Sequence, residues 1–160
     1  MRALLALFAA LFLGALARDR VDEWIDATVL PPLAVATGTE IRDRNGALLR
    51  AYMVDDGLWR LALSPDAVDP LFLDMLIAYE DKRFHQHAGV DLRAALRAGA
   101  QAVRHGRVVS GASTLTMQVA RLLEDGGTGA LGGKLRQMRV ALALERRLTK
   151  AQILDLYLHL

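Results

Sequence analysis

The stretch "YEDKRFHQHAGVD", Tyr79 to Asp91, sets two adjacent acids at the end of an apolar run, then Phe84, two histidines and a glycine. Two readings compete for it. In one, a surface helix ends and a turn follows. In the other, Glu80 is a catalytic carboxylate with a supporting shell, because an acid at the edge of an apolar face suits a general base. The first reading puts acids at a helix C-terminus, where the backbone dipole disfavours them. His85 and His87 form an H-x-H pair able to hold a metal on a strand, but no third ligand of suitable spacing lies nearby. A hydrogen-bonding role that orients the loop is the expectation for them, and Phe84 reads from its residue type as a core anchor.

Downstream, "SGASTLTMQ", Ser110 to Gln118, feeds the hydroxyls of Ser113 and Thr114 into a helix start. Free backbone N–H groups and the helix dipole there would bind phosphate; an ordinary Ser/Thr cap has the same appearance. Arg121 falls three residues beyond Gln118, on the same helical face. "GKLRQMRVALALE" then brings Lys134, Arg136 and Arg139 ahead of an apolar run.

The helices that carry these residues are legible from their punctuation. Ser64-Pro65 reads as a cap with Pro in the first helical position, opening a run through Leu71, Phe72, Met75, Leu76 and Tyr79. Asp91 caps a second segment that Gly106 stops, and Thr149 with Gln152 forms a capping box for the last. The apolar pattern of that last helix runs to the final residue without a stop signal, so a fragment or a truncated reading frame is the expectation. Glu124 to Gly133 is a Gly-rich loop lacking the ending of a phosphate loop. Upstream, Asn45-Gly46 and Asp56-Gly57 punctuate short runs between Thr39 and Leu63, a hairpin signal. The architecture expected is mainly α with a small β preface.

Composition bounds the rest. The 160 residues allow one domain, 53% apolar residues allow a core, and the absence of Cys excludes disulfides and thiol chemistry. Net charge is +2 but lopsided: 13 acids against 5 bases from Asp19 to Asp81, and 13 bases against 4 acids from Lys82 to Lys150. A basic half suggests an anionic partner or, more plainly, solvated helix faces. The N-terminus carries an uncharged run of 15 residues, Ala3 to Ala17, between Arg2 and Arg18. As a helix it reaches roughly 23 Å, short of a hydrocarbon core of about 30 Å. Residues 1–18 are therefore a signal peptide or membrane anchor, 19–63 a Pro-interrupted linker with the hairpin, and 64–160 the catalytic portion. Export argues against nucleic acid as the anionic partner. An enzyme acting on a phosphorylated lipid at a membrane surface fits these features jointly.

"EDKRFHQHAGVD", "SGASTLTMQ" and "KLRQMRVALALERRLTKAQILDLYL" together resemble, in order and spacing, the motifs of the peptidoglycan glycosyltransferases, glycosyltransferase family 51 of class A penicillin-binding proteins. The resemblance covers roughly Pro65 to the C-terminus, and the wording "KLRQ" with the Met of "LTMQVARLL" is similar to the 1C subgroup. It implies a lysozyme-like helical fold, here partial, that polymerises lipid II at the bacterial cytoplasmic membrane, on its outer side, beside other cell-wall synthesis proteins. It implies Glu80 as the general base for inverting transfer with release of undecaprenyl pyrophosphate. Asp81, Phe84 and His87 match the first motif, and Ser113 belongs to the second. Thr114, Gln118 and Lys134 match donor-site positions, and Arg121 stands where a Lys is common. No cofactor is implied, although magnesium or manganese can accompany a pyrophosphate.

Two departures stand out. Gly133 replaces an Arg, and Gln137, 57 positions after Glu80, replaces a second carboxylate. An amide cannot act as an acid/base group or a strong metal ligand, though it can hold a hydrogen-bond network. A muramidase or lytic transglycosylase, with Glu80 as general acid, is one alternative; a non-catalytic, membrane-anchored remnant that binds lipid II is another.

Overall fold

The computed structural model describes residues 1–63, 65–124 and 131–160. It is mainly helical, with one two-stranded sheet among the described residues. Helix α1, Arg2–Asp26, takes in the uncharged run, and its Leu5, Phe8, Leu11 and Phe12 are exposed. No described helix is long and apolar enough to cross a membrane. The acidic stretch after residue 18, expected to be a linker, continues this helix instead. Arg18 and Asp22 at 3.6 Å and Arg20 and Glu23 at 3.1 Å support it across one turn, and the first breaker is Pro31.

The hairpin forms where expected. Strands β1 (Glu40–Arg42) and β2 (Leu48–Ala51) run antiparallel with Glu40 opposite Ala51 and Ile41 opposite Arg50. Asp43 fixes the Asn45-Gly46 turn by accepting the Asn45 and Ala47 N–H groups at 2.8 and 2.9 Å. Asp56-Gly57 also reverses the chain, so that Gly38 N–H reaches the Arg60 carbonyl.

Helix α2 (Pro70–Glu80) begins later than the sequence suggested. Asp69 caps it by accepting the Leu71 N–H at 2.9 Å, and Pro70 takes the first helical position. Pro65 opens only a short 3-10 turn to Ala67, and Ser64 lies outside the described residues. Helix α3 (Leu92–His105) has the expected Asp91 cap and ends at Gly106, whose φ of 66° closes it in the left-handed region. Helices α4 (Leu115–Leu123), α5 (Leu131–Arg147) and α6 (Lys150–His159) follow, the last with its Thr149/Gln152 capping box formed.

The core sits between α4, α5 and α6. Leu115, Val119 and Ala120 meet Val140 and Leu144, with Ile153 and Leu156 closing the third side. Phe84 fills the centre with no exposed surface. No residue of α3 is buried, so the molecule is a three-helix nucleus with α2 and α3 at its edge.

This packing corrects the reading of the basic half. Arg146 pairs with Asp22 and, at 2.7 Å, with Asp26; Arg147 donates to the Asp26 and Thr28 carbonyls. Arg139 donates to the Trp24 carbonyl and lies over its ring, 4.6 Å from the centroid. Arg136 pairs with Glu124. Much of the charge on α5 is therefore answered within the chain, chiefly by the end of α1.

Candidate active site

Glu80 is the last residue of α2, and α4 holds its carboxylate: Gln118 Nε2 donates to Oε2 at 2.9 Å. The neighbouring Asp81 points the other way. Its buried carboxylate accepts the Leu115 N–H at 3.0 Å and meets His87 Nε2 at 2.9 Å. Because Gly89 N–H donates to His87 Nδ1 at 3.2 Å, the ring proton belongs on Nε2 and is donated to Asp81. Thr114 Oγ1 donates to the Gly89 carbonyl at 2.6 Å and accepts the Met117 N–H at 3.1 Å. Gly89 itself has φ of 97°, and a Cβ there would stand 2.7 Å from the Ala141 carbonyl oxygen. Only glycine lets this loop lie on the α5 backbone.

Asp81, His87 and Thr114 thus lock the first motif to the start of α4, and Asp81 and Thr114 also line the cleft beside Glu80. Phe84, which matches the first motif, has no exposed surface and is the core anchor that its residue type suggests rather than a substrate contact. The anion-binding reading of the α4 start is corrected as well. Asp81 and Thr114 occupy its Leu115 and Met117 N–H groups, so the ordinary cap is what forms.

The remaining candidates converge. Ser113, Met117, Gln118, Arg121, Lys134 and Gln137 line a cleft of about 230 Å³. On the other side of Ser113 lies a cleft of about 480 Å³, lined by Glu80 with Lys82, Arg83 and Arg97. Lys134 Nζ donates to Ser113 Oγ at 2.5 Å and to Gln137 Oε1 at 3.3 Å. Burial and, after it, the charge of Arg121 pull the Lys134 ammonium below its ordinary value. Among the described residues no carboxylate pairs with Lys134 or Arg121. A Glu at position 137 would sit against Lys134 as an ion partner; the amide there accepts its hydrogen bond without a charge.

One residue absent from the sequence reading packs against the core within the influence of the Glu80 charge. Tyr157 on α6 has its hydroxyl held protonated, mainly by burial and then by the Glu80 charge, with Arg121 opposing. Its position 77 residues from Glu80 gives no local signal.

The cleft does not suit a metal held by the protein. Its polar groups are cations, amides and a hydroxyl, whereas magnesium and manganese take carboxylate oxygens. Among the described residues no three His, Asp or Glu side chains gather as a ligand set. His85 sits in the 3-10 turn Phe84–Gln86, and His87 is engaged by Asp81.

Comparison with known proteins agrees with the geometry. The family described as Transglycosylase matches residues 45–160, taking in β2 of the hairpin. Penicillin-binding protein 1C of Escherichia coli (strain K12) is 42% identical over 93% of this chain and 18% of its own length. Penicillin-binding protein 1A of the same organism is 32% identical over 84% of this chain and 15% of its own. Penicillin-binding protein 1A of Aquifex aeolicus (strain VF5) is 30% identical over 98% of this chain and 21% of its own. The chain thus spans about a fifth of the length of these relatives.

Proposed function

The chain belongs to the transglycosylase family, and from that premise we propose that it is the peptidoglycan glycosyltransferase segment of a class A penicillin-binding protein, polymerising lipid II in cell-wall synthesis. The observation that carries this reading is one face of α4: Gln118 pins the Glu80 carboxylate, and Arg121 on the same face stands beside Lys134 for an anion.

In the proposed reaction the acceptor sugar's 4-hydroxyl oxygen attacks the donor's anomeric carbon while Glu80 takes the hydroxyl proton. The bond from that carbon to the pyrophosphate oxygen breaks, its electron pair leaves with the lipid pyrophosphate, and configuration inverts. Negative charge grows on the leaving oxygen, where Lys134 and Arg121 stabilise it most as the bond breaks. Ser113 and Gln137 hold the Lys134 ammonium in place. The larger cleft beside Glu80 receives the acceptor. A lysozyme-like arrangement of the helices accords with a single carboxylate on a helical nucleus.

The membrane side of the proposal rests on exposed surfaces. Besides the apolar residues of α1, α3 exposes Leu92, Leu96 and Val103 at helical spacing, with Arg93, Arg97 and Arg104 as an adjoining stripe. Such a helix suits the headgroup region of a bilayer. We place the catalytic part at the outer face of the bacterial cytoplasmic membrane, with lipid II, the growing glycan strand and other cell-wall synthesis proteins as partners.

The test is lipid II polymerisation with Glu80→Gln as the comparison. Polymer from the native chain and none from the variant is the expected result, because removal of a general base slows turnover by about 10²–10⁴-fold. Undiminished polymer from the variant would overturn the role of Glu80. The Gln137 amide favours one second reading, a lipid II-binding segment without turnover; lipid II binding with no polymer from either protein selects it. A glycan-cleaving muramidase has no use for two cations beside an uncharged bond.

A further inference from the structure

One buried carboxylate takes no part in the proposed transfer. Glu145 stands on α5 with its side chain 7% exposed, and a single oxygen, Oε1, accepts from two other elements. Thr116 of α4 donates its hydroxyl at 2.7 Å, and Lys150, the first residue of α6, donates from Nζ at 2.6 Å. Lys150 also lies over the face of Phe84, its Nζ 4.4 Å from the ring centroid. The Phe84 N–H in turn donates to the Asp81 carbonyl at 2.9 Å. The His87 ring, which engages the Asp81 carboxylate, meets Phe84 edge-on with 6.4 Å between centroids.

Resting on the function proposed above, we infer that Glu145 and Lys150 are positioning residues for the general base Glu80. The pair grips the two segments whose separation sets the Glu80–Gln118 hydrogen bond. One grip is on α4 at Thr116, two residues before Gln118; the other is on the turn that follows Glu80, through Phe84. Neither Glu145 nor Lys150 lines the clefts on either side of Ser113, so both act through other residues. Stability alone gives no reason for charges here. Taking two ions out of water offsets most of what their attraction returns, and an apolar pair of the same volume would fill the space as well. What an apolar pair lacks is direction. A hydrogen-bonded carboxylate and a cation seated on a ring face fix the distances between α4, α6 and the first-motif turn, where methyl groups would let them slide. A displacement of about 1 Å at a catalytic group can lower turnover by roughly 100-fold. A pair that is neutral for folding is therefore not neutral for transfer.

Thr116→Val combined with Glu145→Met and Lys150→Met tests this in the full chain, replacing all three by apolar groups of like shape, a change near neutral or stabilising for folding. The melting temperature should stay level or rise. The kcat for lipid II polymerisation should fall about 10–100-fold while KM holds within about twofold. Lys150→Arg alone, which keeps a cation on the carboxylate and the ring, should keep most of the native kcat. A second measurement is independent of turnover. The Gln118 side-chain amide protons, assigned by their loss in Gln118→Met, should move in the NMR spectrum of the triple variant toward the position of a free amide. Native kcat in the triple variant, unmoved Gln118 signals, or a fall as deep in Lys150→Arg overturns the positioning role. So does a kcat that falls only in step with the melting temperature, the mark of a merely structural pair. Absence of polymer from the native chain overturns the proposed function instead, and the Gln118 signals still decide whether Glu145 and Lys150 hold the Glu80 contact.

Discussion

Lys134 and Arg146 stand on the same helix, twelve residues apart, and their charges meet opposite fates. Arg146 is answered by Asp22 and Asp26, so it fastens α5 to the end of α1. Among the described residues Lys134 is met by a hydroxyl and an amide and by no carboxylate, with Arg121 near enough to lower its proton affinity. A cation held among neutral acceptors beside another cation is electrostatically unsettled until an anion arrives. The counting of charges along a sequence cannot tell these two apart; the partners do. Net charge by segment therefore overstates what is available to a ligand.

The largest expected consequence is at the unpaired end. Lys134→Met should weaken pyrophosphate binding by about 30–100-fold, as loss of one charge-assisted hydrogen bond to phosphate implies, while the melting temperature stays level or rises. Isothermal titration alongside thermal unfolding reads both. A loss of stability without a loss of binding would place Lys134 with Arg146 and break the contrast.

The next effect is in pH. The folded ammonium of Lys134 titrates below its ordinary 10.5, burial being the main cause. Pyrophosphate affinity should therefore fall as pH rises through that lowered value, before free lysine would lose its proton. Lys134→Arg, which keeps its charge throughout, should remove the fall.

Arg146→Ala should act in the opposite sense to Lys134→Met. Thermal stability drops modestly and becomes less dependent on salt, since exposed pairs are screened, and pyrophosphate affinity is unchanged. The smallest effect concerns Asp91. Burial raises its carboxyl, but hydrogen bonds from Arg83 and the Ala94 N–H outweigh this and leave it below its ordinary 3.8. A lowered acid stabilises the fold fully above 3.8 and loses that contribution as pH falls through the folded value. Asp91→Asn should flatten the acid limb of the stability curve in that window.

Much of the local structure was legible because its causes are local. Asp91, Gly106 and the Thr149/Gln152 box act within four residues of where they stand, and each does what its type predicts. The start of α2 differs from the sequence expectation because Ser64-Pro65 and Asp69-Pro70 carry the same signal, and it is Asp69 whose side chain accepts the Leu71 N–H. The acidic end of α1 was read as linker because its partners, Arg146 and Arg147, lie more than a hundred residues away. A separation of 77 residues likewise hid Tyr157 from Glu80. Of the site, Gln118 holds Glu80 and also lines the cleft of Arg121 and Lys134, residues that the motifs singled out. The motif residues Phe84 and His87 turn inward, while Asp81 and Thr114 hold the loop together and also line the Glu80 cleft; a sequence motif records what must be fixed without saying whether substrate or scaffold fixes it.

The grip of Arg139, Arg146 and Arg147 on the last turn of α1 has a mechanical meaning. A domain tied to its helix by a limp tether would tumble independently of it. Here three guanidinium groups act as keys on a shaft, so a rotation of α1 about its own axis turns the clefts with it. The orientation of the clefts is thereby geared to the helix that precedes them.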